Sequence, residues 1–198
     1  MERIKGGRGA RVLEGVMPLE IINNEGKEGV VYGVNTTVTS KSGAVRGLRM
    51  AEKVFRPLTS TPMTLLWKNP RRQVEYMQEL KALERKEGLG LRLPATFRLR
   101  DRFDGMPAPM RWFLKLRRWA KRSDEGLSVL MTKFDSLRSD QRDDAAMAEY
   151  LEDSNMQMAA AKRHGYIIRH DAFFPCRDVK TGKMIAVLAD LGNCEKDD

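Results

Sequence analysis

The chain has 198 residues, of which 41% are hydrophobic and 32% are charged. That length is enough for one substantial domain or two small lobes, and the composition is compatible with a hydrophobic core. No apolar run approaches the roughly 18 residues of a membrane span, and the charged, Gly-rich beginning lacks the apolar core of a signal peptide. We therefore expect an intracellular protein, in the cytoplasm or nucleus, without a transmembrane segment.

The net charge of the chain is +9 at pH 7, and its isoelectric point is about 9.7. This balance favours anionic partners, such as a nucleotide, a nucleic acid, a phosphoprotein or a membrane surface. The two cysteines, Cys176 and Cys194, are too few for a disulfide framework or a four-cysteine zinc site, so we expect reduced thiols.

The first third of the chain has the pattern of an antiparallel meander. Residues 1–10 are expected to form a flexible basic arm. Strand-like runs rich in β-branched and aromatic residues follow at 11–17, 20–39 and 45–55. A polar turn that contains glycine, at 23–29, precedes the strand-like part of the second run, and another at 41–43 separates the second run from the third.

A helix is predicted after the meander, with Asn69 as N-cap and Pro70 in the first helical position. It is expected to end near Lys86, before two glycines. Two further strands are predicted at 95–103 and 127–134. In the first of these, alternate positions are basic, which predicts one exposed, positively charged face made by Arg98, Arg100 and Arg102.

Between these two strands, residues 110–121 are predicted to form a basic amphipathic helix. Trp112, Leu116 and Trp119 follow the i, i+4, i+7 spacing of one helix face. The positive charges in and directly after it are Arg111, Lys115, Arg117, Arg118, Lys121 and Arg122. Such a helix suits an anionic membrane, a nucleic-acid backbone or a protein partner. Alternatively, its Trp face is core and its Arg face is solvated, which is the interpretation we favour.

A third helix is predicted from Asp143 or Asp144 to His164, with Gly165 directly after its end. Its apolar side is expected to contain Ala146, Tyr150, Met156, Met158, Ala159 and Ala160. Two short apolar runs follow, and the polar segment 177–183 between them predicts a hairpin. Asp171 and Asp190 would then meet at its open end, where two carboxylates can bind a divalent metal or divide the roles of base and metal ligand.

The segments Ile168-Arg169-His170-Asp171 and Ala189-Asp190-Leu191-Gly192 resemble the catalytic-loop and metal-binding motifs of the protein kinase superfamily. The resemblance implies an α+β fold with a five-stranded antiparallel small lobe that carries one helix, followed by a reduced, truncated helical lobe. The implied boundaries are 11–135 and 136–198, with the basic helix near 110–122 as an insertion in the first lobe.

The same resemblance implies ATP and Mg²⁺ as cofactors and assigns roles to single residues. Lys53, in a strand similar to the Val-Ala-Ile-Lys strand of the family, would contact the α- and β-phosphates. Glu79 would orient Lys53, with Glu75 one turn earlier as the alternative. Asp171 would be the catalytic base, and Asp190 would bind Mg²⁺.

Weaker assignments concern the nucleotide. Gly26 and Gly29 lack the family spacing of the phosphate loop, so they are interpreted first as turn glycines and second as phosphate contacts. Met131, Lys133 and Phe134 would lie at the adenine site, at the end of the fifth strand.

Several positions depart from the family pattern. Arg169 and His170 stand in swapped order, Phe173 replaces a lysine that steadies the transferred phosphoryl group, and Cys176 replaces an asparagine that binds a second Mg²⁺. A thiol is a poor ligand for Mg²⁺. Asp178 is a local alternative to that asparagine. The six residues after Gly192 leave no room for an activation segment.

Three functions therefore compete. The first is a kinase-like ATP-binding protein with reduced or absent phosphotransfer and a regulatory binding role, which we favour. The second is an active minimal phosphotransferase, and the third is a basic nucleic-acid-binding protein. The expected partners are a nucleotide, a protein and, through the basic helix, a nucleic acid or an anionic membrane. The abbreviated core also favours oligomerisation.

Overall fold

In a computed structural model of the protein, the chain is α+β, with an antiparallel sheet and three α-helices among the described residues. The structure describes residues 2–3, 12–23, 29–39, 45–55, 70–120, 126–134, 143–178 and 180–197. Within these ranges, no helix is both long enough and apolar enough to cross a membrane. The α+β prediction is thereby confirmed at the level of fold class.

The chain divides into two compact units, which we describe separately. Unit 1 comprises Met1–Pro57 and Arg100–Lys133, and unit 2 comprises Leu58–Leu99 and Phe134–Asp198. Unit 1 contains 19 lysines and arginines against 10 aspartates and glutamates, whereas unit 2 contains 17 of each kind. The whole net charge of +9 therefore lies in unit 1.

The larger sheet has the strand order β1-β2-β3-β4-β6-β5. Its strands are β1 (Glu2–Arg3), β2 (Val12–Asn23), β3 (Gly29–Thr39), β4 (Val45–Phe55), β5 (Phe97–Asp101) and β6 (Leu127–Thr132). The predicted meander β2-β3-β4 and both later strands are confirmed, except that β2 continues through the predicted break after Met17 to Asn23. Glu2 and Arg3, in the predicted flexible arm, form β1 and pair with β2. β6 is apolar at most positions because it is an inner strand, and its residue Leu130 packs with Val34 and Met50 in a buried cluster.

Unit 1 contains one described helix, α2 (Ala108–Ala120), close to the predicted bounds. A 3-10 turn (Arg102–Gly105) precedes α2, and the carboxylate of Asp101 caps this turn by accepting a hydrogen bond from the Phe103 backbone N–H.

Unit 2 contains the other two helices and four short strands. The helices are α1 (Pro70–Glu87) and α3 (Asp144–Lys162), and the strands are β7 (Tyr166–Ile167), β8 (Phe173–Arg177), β9 (Met184–Leu188) and β10 (Glu195–Lys196). β8 and β9 form the predicted hairpin, and β10 pairs with β7. Both helices lie where the sequence predicts them, although Asn69, the predicted cap of α1, lies outside the described residues.

The side of α3 that faces the interior differs from the prediction. Ala146, Tyr150 and Ala160 are buried as expected, but Met156 is 59% exposed and Ala159 is also exposed. Three polar residues take their place in the interior, namely Asp153, Ser154 and Gln157. The reason is that these polar side chains hydrogen-bond to the β8-β9 hairpin and to the segment around it.

Candidate functional site

The polar side of α3 binds the outer edge of β9. Glu149 accepts a hydrogen bond from the Met184 N–H at 2.9 Å, and Asp153 accepts one from the Ala186 N–H at 2.7 Å. Gln157 donates its side-chain amide to the Ala186 carbonyl at 2.7 Å. Four helical residues rise about 6 Å and two strand residues about 6.6 Å, so the two spacings match. α3 therefore holds the hairpin in a fixed place.

The buried carboxylate of Asp153 accepts three hydrogen bonds through one oxygen, Oδ2. Its Oδ2 also accepts from the Arg92 guanidinium at 3.0 Å and from Gln157 at 3.2 Å. The Arg92 backbone closes the network, because its N–H donates to Gln157 and its carbonyl accepts from the Leu188 N–H. A buried charge is tolerated when it is paired and hydrogen-bonded in this way.

α3 also fixes the beginning of β8. The Tyr150 hydroxyl donates to the Phe173 carbonyl at 3.1 Å, and the hydroxyl of Ser154 lies 3.3 Å from Nδ1 of His170. His170 begins a 3-10 turn (His170–Ala172) that leads directly into β8. Both strands of the hairpin are thus attached to one helix, and so are the residues at its open end.

Asp171 and Asp190 lie at that open end. The last paired residues of the ladder are Phe173 and Leu188, and the Ala172 carbonyl accepts from the N–H groups of both Ala189 and Asp190. Asp171 lies in the 3-10 turn before β8, and Asp190 follows the end of β9 by two residues, so both flank this end of the ladder. The predicted hairpin and its placement of the two aspartates at one end are confirmed.

One tight loop after β9 contacts both carboxylates. The Gly192 N–H donates to Oδ1 of Asp190 at 3.1 Å, and the side-chain amide of Asn193 donates to Oδ2 of Asp171 at 2.9 Å. Sequence reasoning missed Asn193, whose only signal is its position in the turn three residues after Asp190. Asp171 is exposed and Asp190 is half-buried, so an ion in solvent can reach this end of the hairpin.

The donor atoms at this end are the kind that Mg²⁺ prefers. Carboxylate oxygens and an amide oxygen are hard ligands, and Mg²⁺ is usually bound through one or two carboxylates with waters and substrate phosphates completing the shell. Over the described part of the chain, no group of three or more His, Cys, Asp or Glu side chains could hold a metal ion.

The two departures from the kinase pattern are core residues. Phe173 is 4% exposed and Cys176 is 5% exposed, and they lie opposite Leu188 and Ile185 in the hairpin. Both side chains are therefore buried in unit 2 and are not exposed to a ligand in solvent.

Asp178 lies in the turn at the other end of the hairpin. It accepts hydrogen bonds from the N–H groups of Lys180 and Thr181, and these bonds lower the pKa of Asp178 below its ordinary value. The alternative that Asp178 replaces the missing asparagine is wrong, because the length of β8 separates it from Asp171.

Glu79 is engaged inside unit 2. Its carboxylate accepts from the Lys196 ammonium at 2.8 Å and from the Tyr166 hydroxyl. The hydrogen bond from Lys196, followed by that from Tyr166, lowers the pKa of Glu79. Burial, followed by the hydrogen bond to Glu79, raises the pKa of Tyr166 to about 12. Glu75, the alternative on α1, is exposed.

The predicted nucleotide residues of unit 1 lie on or beside the sheet. Lys53 is 8% exposed in β4, and its ammonium lies 5.5 Å from the centre of the Phe55 ring. Met131 is buried in β6, opposite Ala51, and Lys133 follows that strand. Gly29 is the first residue of β3.

Two more predicted residues complete that set. Phe134 belongs to unit 2, where its ring contacts that of Phe174 with centroids 5.7 Å apart. Gly26 lies outside the described residues.

The predicted burial of α2 is wrong. Trp112 and Trp119 are 68% and 77% exposed, and no residue of the helix is buried. Its described cations lie at half-buried or exposed positions: Arg111, Lys115, Arg117 and Arg118. Lys121 and Arg122 lie outside the described residues.

The predicted exposed face of β5 also differs. Arg98 and Arg100 are half-buried, and Arg100 donates to the buried carboxylate of Glu52 at 3.1 Å. Ser128 donates to the same oxygen at 2.7 Å. Of the three arginines only Arg102 is exposed, because Glu52 on β4 pairs with Arg100 and holds it at a half-buried position.

Comparison with family models and with curated proteins found no relative of this chain. No family model matches the chain, and no curated protein matches it. The resemblance to the protein kinase superfamily therefore stays a prediction that rests on the quoted motifs.

Proposed function

We propose that the chain is a kinase-like protein that binds ATP together with Mg²⁺ and has reduced or absent phosphotransfer. The observation that carries the proposal is that one loop after β9 donates hydrogen bonds to both Asp171 and Asp190, at the open end of the β8-β9 hairpin. Asp171 and Asp190 would hold the ion. Bound Mg²⁺ would supply neutralisation of the phosphate charge.

The loop after β9 favours Asp171 as a metal ligand over Asp171 as a base. Gly192 and Asn193 of this loop donate to Asp190 and Asp171, and two carboxylates contacted by one loop can share a divalent ion. A carboxylate that binds the ion would not take up the proton of a substrate hydroxyl, so phosphotransfer would be reduced or absent.

The burial of Phe173 and Cys176 supports the same conclusion. A lysine or an asparagine at these positions of the family would have to reach the phosphates, whereas these two side chains pack inside unit 2. The remaining roles stay predictions of the resemblance: Lys53 on the phosphates, Glu79 orienting it, Gly26 and Gly29 at the phosphates, and Met131, Lys133 and Phe134 at adenine. For Glu79 the predicted role would require release of Lys196.

Calorimetric titration of ATP, with and without Mg²⁺, tests the proposal. Wild type is compared with Asp190→Asn, Asp171→Asn and Lys53→Met. We expect saturable binding that depends on Mg²⁺ and an affinity loss of roughly tenfold or more for each aspartate variant, because a charged ligand of the ion is lost. Asp178→Asn is the matched control on the same hairpin, and it should bind as wild type does.

The two roles of Asp171 give different results. If Asp171 is a metal ligand, Asp171→Asn weakens Mg²⁺-dependent ATP binding. If it is a base in an active phosphotransferase, Asp171→Asn keeps the affinity and abolishes transfer from radiolabelled ATP. Absence of ATP binding by wild type, or binding that is indifferent to Mg²⁺ and to both aspartates, would contradict the proposed function.

A further inference from the structure

Two cations of α2, Lys115 and Arg118, are directed toward the rest of unit 1. Lys115 lies 2.6 Å from Asp104 and 3.4 Å from Asp101, and Arg118 lies 2.7 Å from Asp101. The Arg118 guanidinium also covers the ring of Phe103 at 5.3 Å. These ion pairs tie the basic side of the helix to the 3-10 turn before it.

The apolar side of α2 consequently faces outward. Its exposed fractions are 55% for Met110, 68% for Trp112, 58% for Phe113, 44% for Leu116 and 77% for Trp119. Isolated exposed apolar side chains are common, but a contiguous group that includes two tryptophans marks an interaction site. We call these five residues the α2 apolar face.

The charge distribution limits what can cover this face. A second copy of the chain would bring two units of net charge +9 together, which costs electrostatic free energy. A nucleic-acid backbone is bound through its phosphates and would leave the exposed aliphatic side chains of Met110 and Leu116 without an apolar partner. A surface that is both apolar and negatively charged avoids the charge repulsion and supplies the apolar contact.

We propose that the α2 apolar face docks on an anionic lipid bilayer. Tryptophan, phenylalanine and leucine on one face, with basic residues beside them, are the composition of helices that lie in the membrane interface. The excess positive charge of unit 1 attracts the acidic headgroups, and the apolar side chains enter the boundary between headgroups and acyl chains. The ion pairs of Lys115 and Arg118 with Asp101 and Asp104 hold α2 so that the α2 apolar face stays exposed.

Vesicle flotation of the whole protein tests this proposal. Wild type should float with vesicles of phosphatidylcholine and phosphatidylglycerol, more weakly at higher salt, and should not float with phosphatidylcholine alone. Trp112→Ala/Trp119→Ala should lower the affinity roughly tenfold or more, because two apolar rings no longer leave water. Leu151→Ala/Met156→Ala removes two exposed apolar side chains from α3 and should bind as wild type does.

Circular dichroism would check that the tryptophan variant folds. If it does not fold, Leu116→Glu serves as a second variant, with the same expected loss. Equal binding to neutral vesicles, unchanged binding by the folded variants or no binding by wild type would overturn the proposal. It would also be overturned if the variants abolished a concentration-dependent dimer, or the binding of a single-stranded oligonucleotide, without affecting flotation.

Discussion

Unit 1 and unit 2 treat the polar side chains of a helix in opposite ways. In unit 1, α2 pairs its cations with Asp101 and Asp104 near the surface and leaves its tryptophans in solvent. In unit 2, α3 buries Asp153 and Gln157 against β9 and leaves Met156 in solvent. Periodicity shows which residues share a face, whereas the groups available nearby decide which face is covered.

The two units also differ in what their charges can do. Unit 2 has equal numbers of acids and bases, and the site that we propose at Asp171 and Asp190 would bind one small cation. Unit 1 concentrates the positive charge, which acts over a distance on a large anionic surface. Mutations in unit 2 should therefore change cation binding, and mutations in unit 1 should change the attraction to an anionic surface, each without the other.

The largest effect is expected from a comparison of two leucines of unit 1, one buried in the sheet and one exposed on α2. Leu130→Ala removes a fully buried side chain in β6 and should lower the free energy of unfolding by about 3–5 kcal/mol. Leu116→Ala, on the α2 apolar face, should change it by less than about 0.5 kcal/mol. Urea unfolding measures both. Equal losses would show that the α2 apolar face is packed in solution.

A smaller effect is expected from a matched pair of aspartates. Asp153→Ala leaves the Ala186 N–H and the Arg92 guanidinium without their acceptor and should cost about 3 kcal/mol. Asp101→Ala removes ion pairs nearer the surface and should cost about 1 kcal/mol. Chemical denaturation of the two variants tests this order, and the reverse order would refute the assigned burial of α3.

The smallest effect is expected at acid pH. The folded-state pKa of Glu79 lies below the ordinary value of 4.5, so its contribution to stability is present above about pH 4.5 and is lost as the pH falls through the folded-state pKa. Glu79→Gln should therefore flatten part of the decline of melting temperature with acid. Glu75→Gln, on the same helix, should keep the wild-type decline. An unchanged decline in Glu79→Gln would rule out the assigned contact with Lys196.

Elements that depend on local signals were predictable from the sequence. The β8-β9 hairpin follows from two apolar runs and a polar turn, and α1 begins at Pro70, where a proline is tolerated. The position of Asp171 and Asp190 at one end of the hairpin follows from the same pattern, because each lies just beyond one end of a strand whose pairing is fixed once the turn is placed.

Features that depend on distant partners were not predictable. Asp101 and Asp104 pair with the basic side of α2 and so leave its apolar side exposed. They lie 11 to 17 residues before their partners, Lys115 and Arg118, and no sequence periodicity reports such a separation. Asp153 and Gln157 have the composition of a solvated helix face, and their burial depends on β9, which lies 29 to 33 residues later. Asn193 joins the site through a loop whose path the sequence does not specify.

The attachment of α3 to β9 has a consequence for how the protein behaves at high concentration. A two-stranded hairpin normally offers an open edge of N–H and carbonyl groups, which recruits strands from other molecules and starts aggregation. Here the outward N–H groups of Met184, Ala186 and Leu188 donate to Glu149, Asp153 and the Arg92 carbonyl. Helix side chains and one loop therefore take the place of a neighbouring strand, and no foreign strand can add along β9 without first displacing a helix.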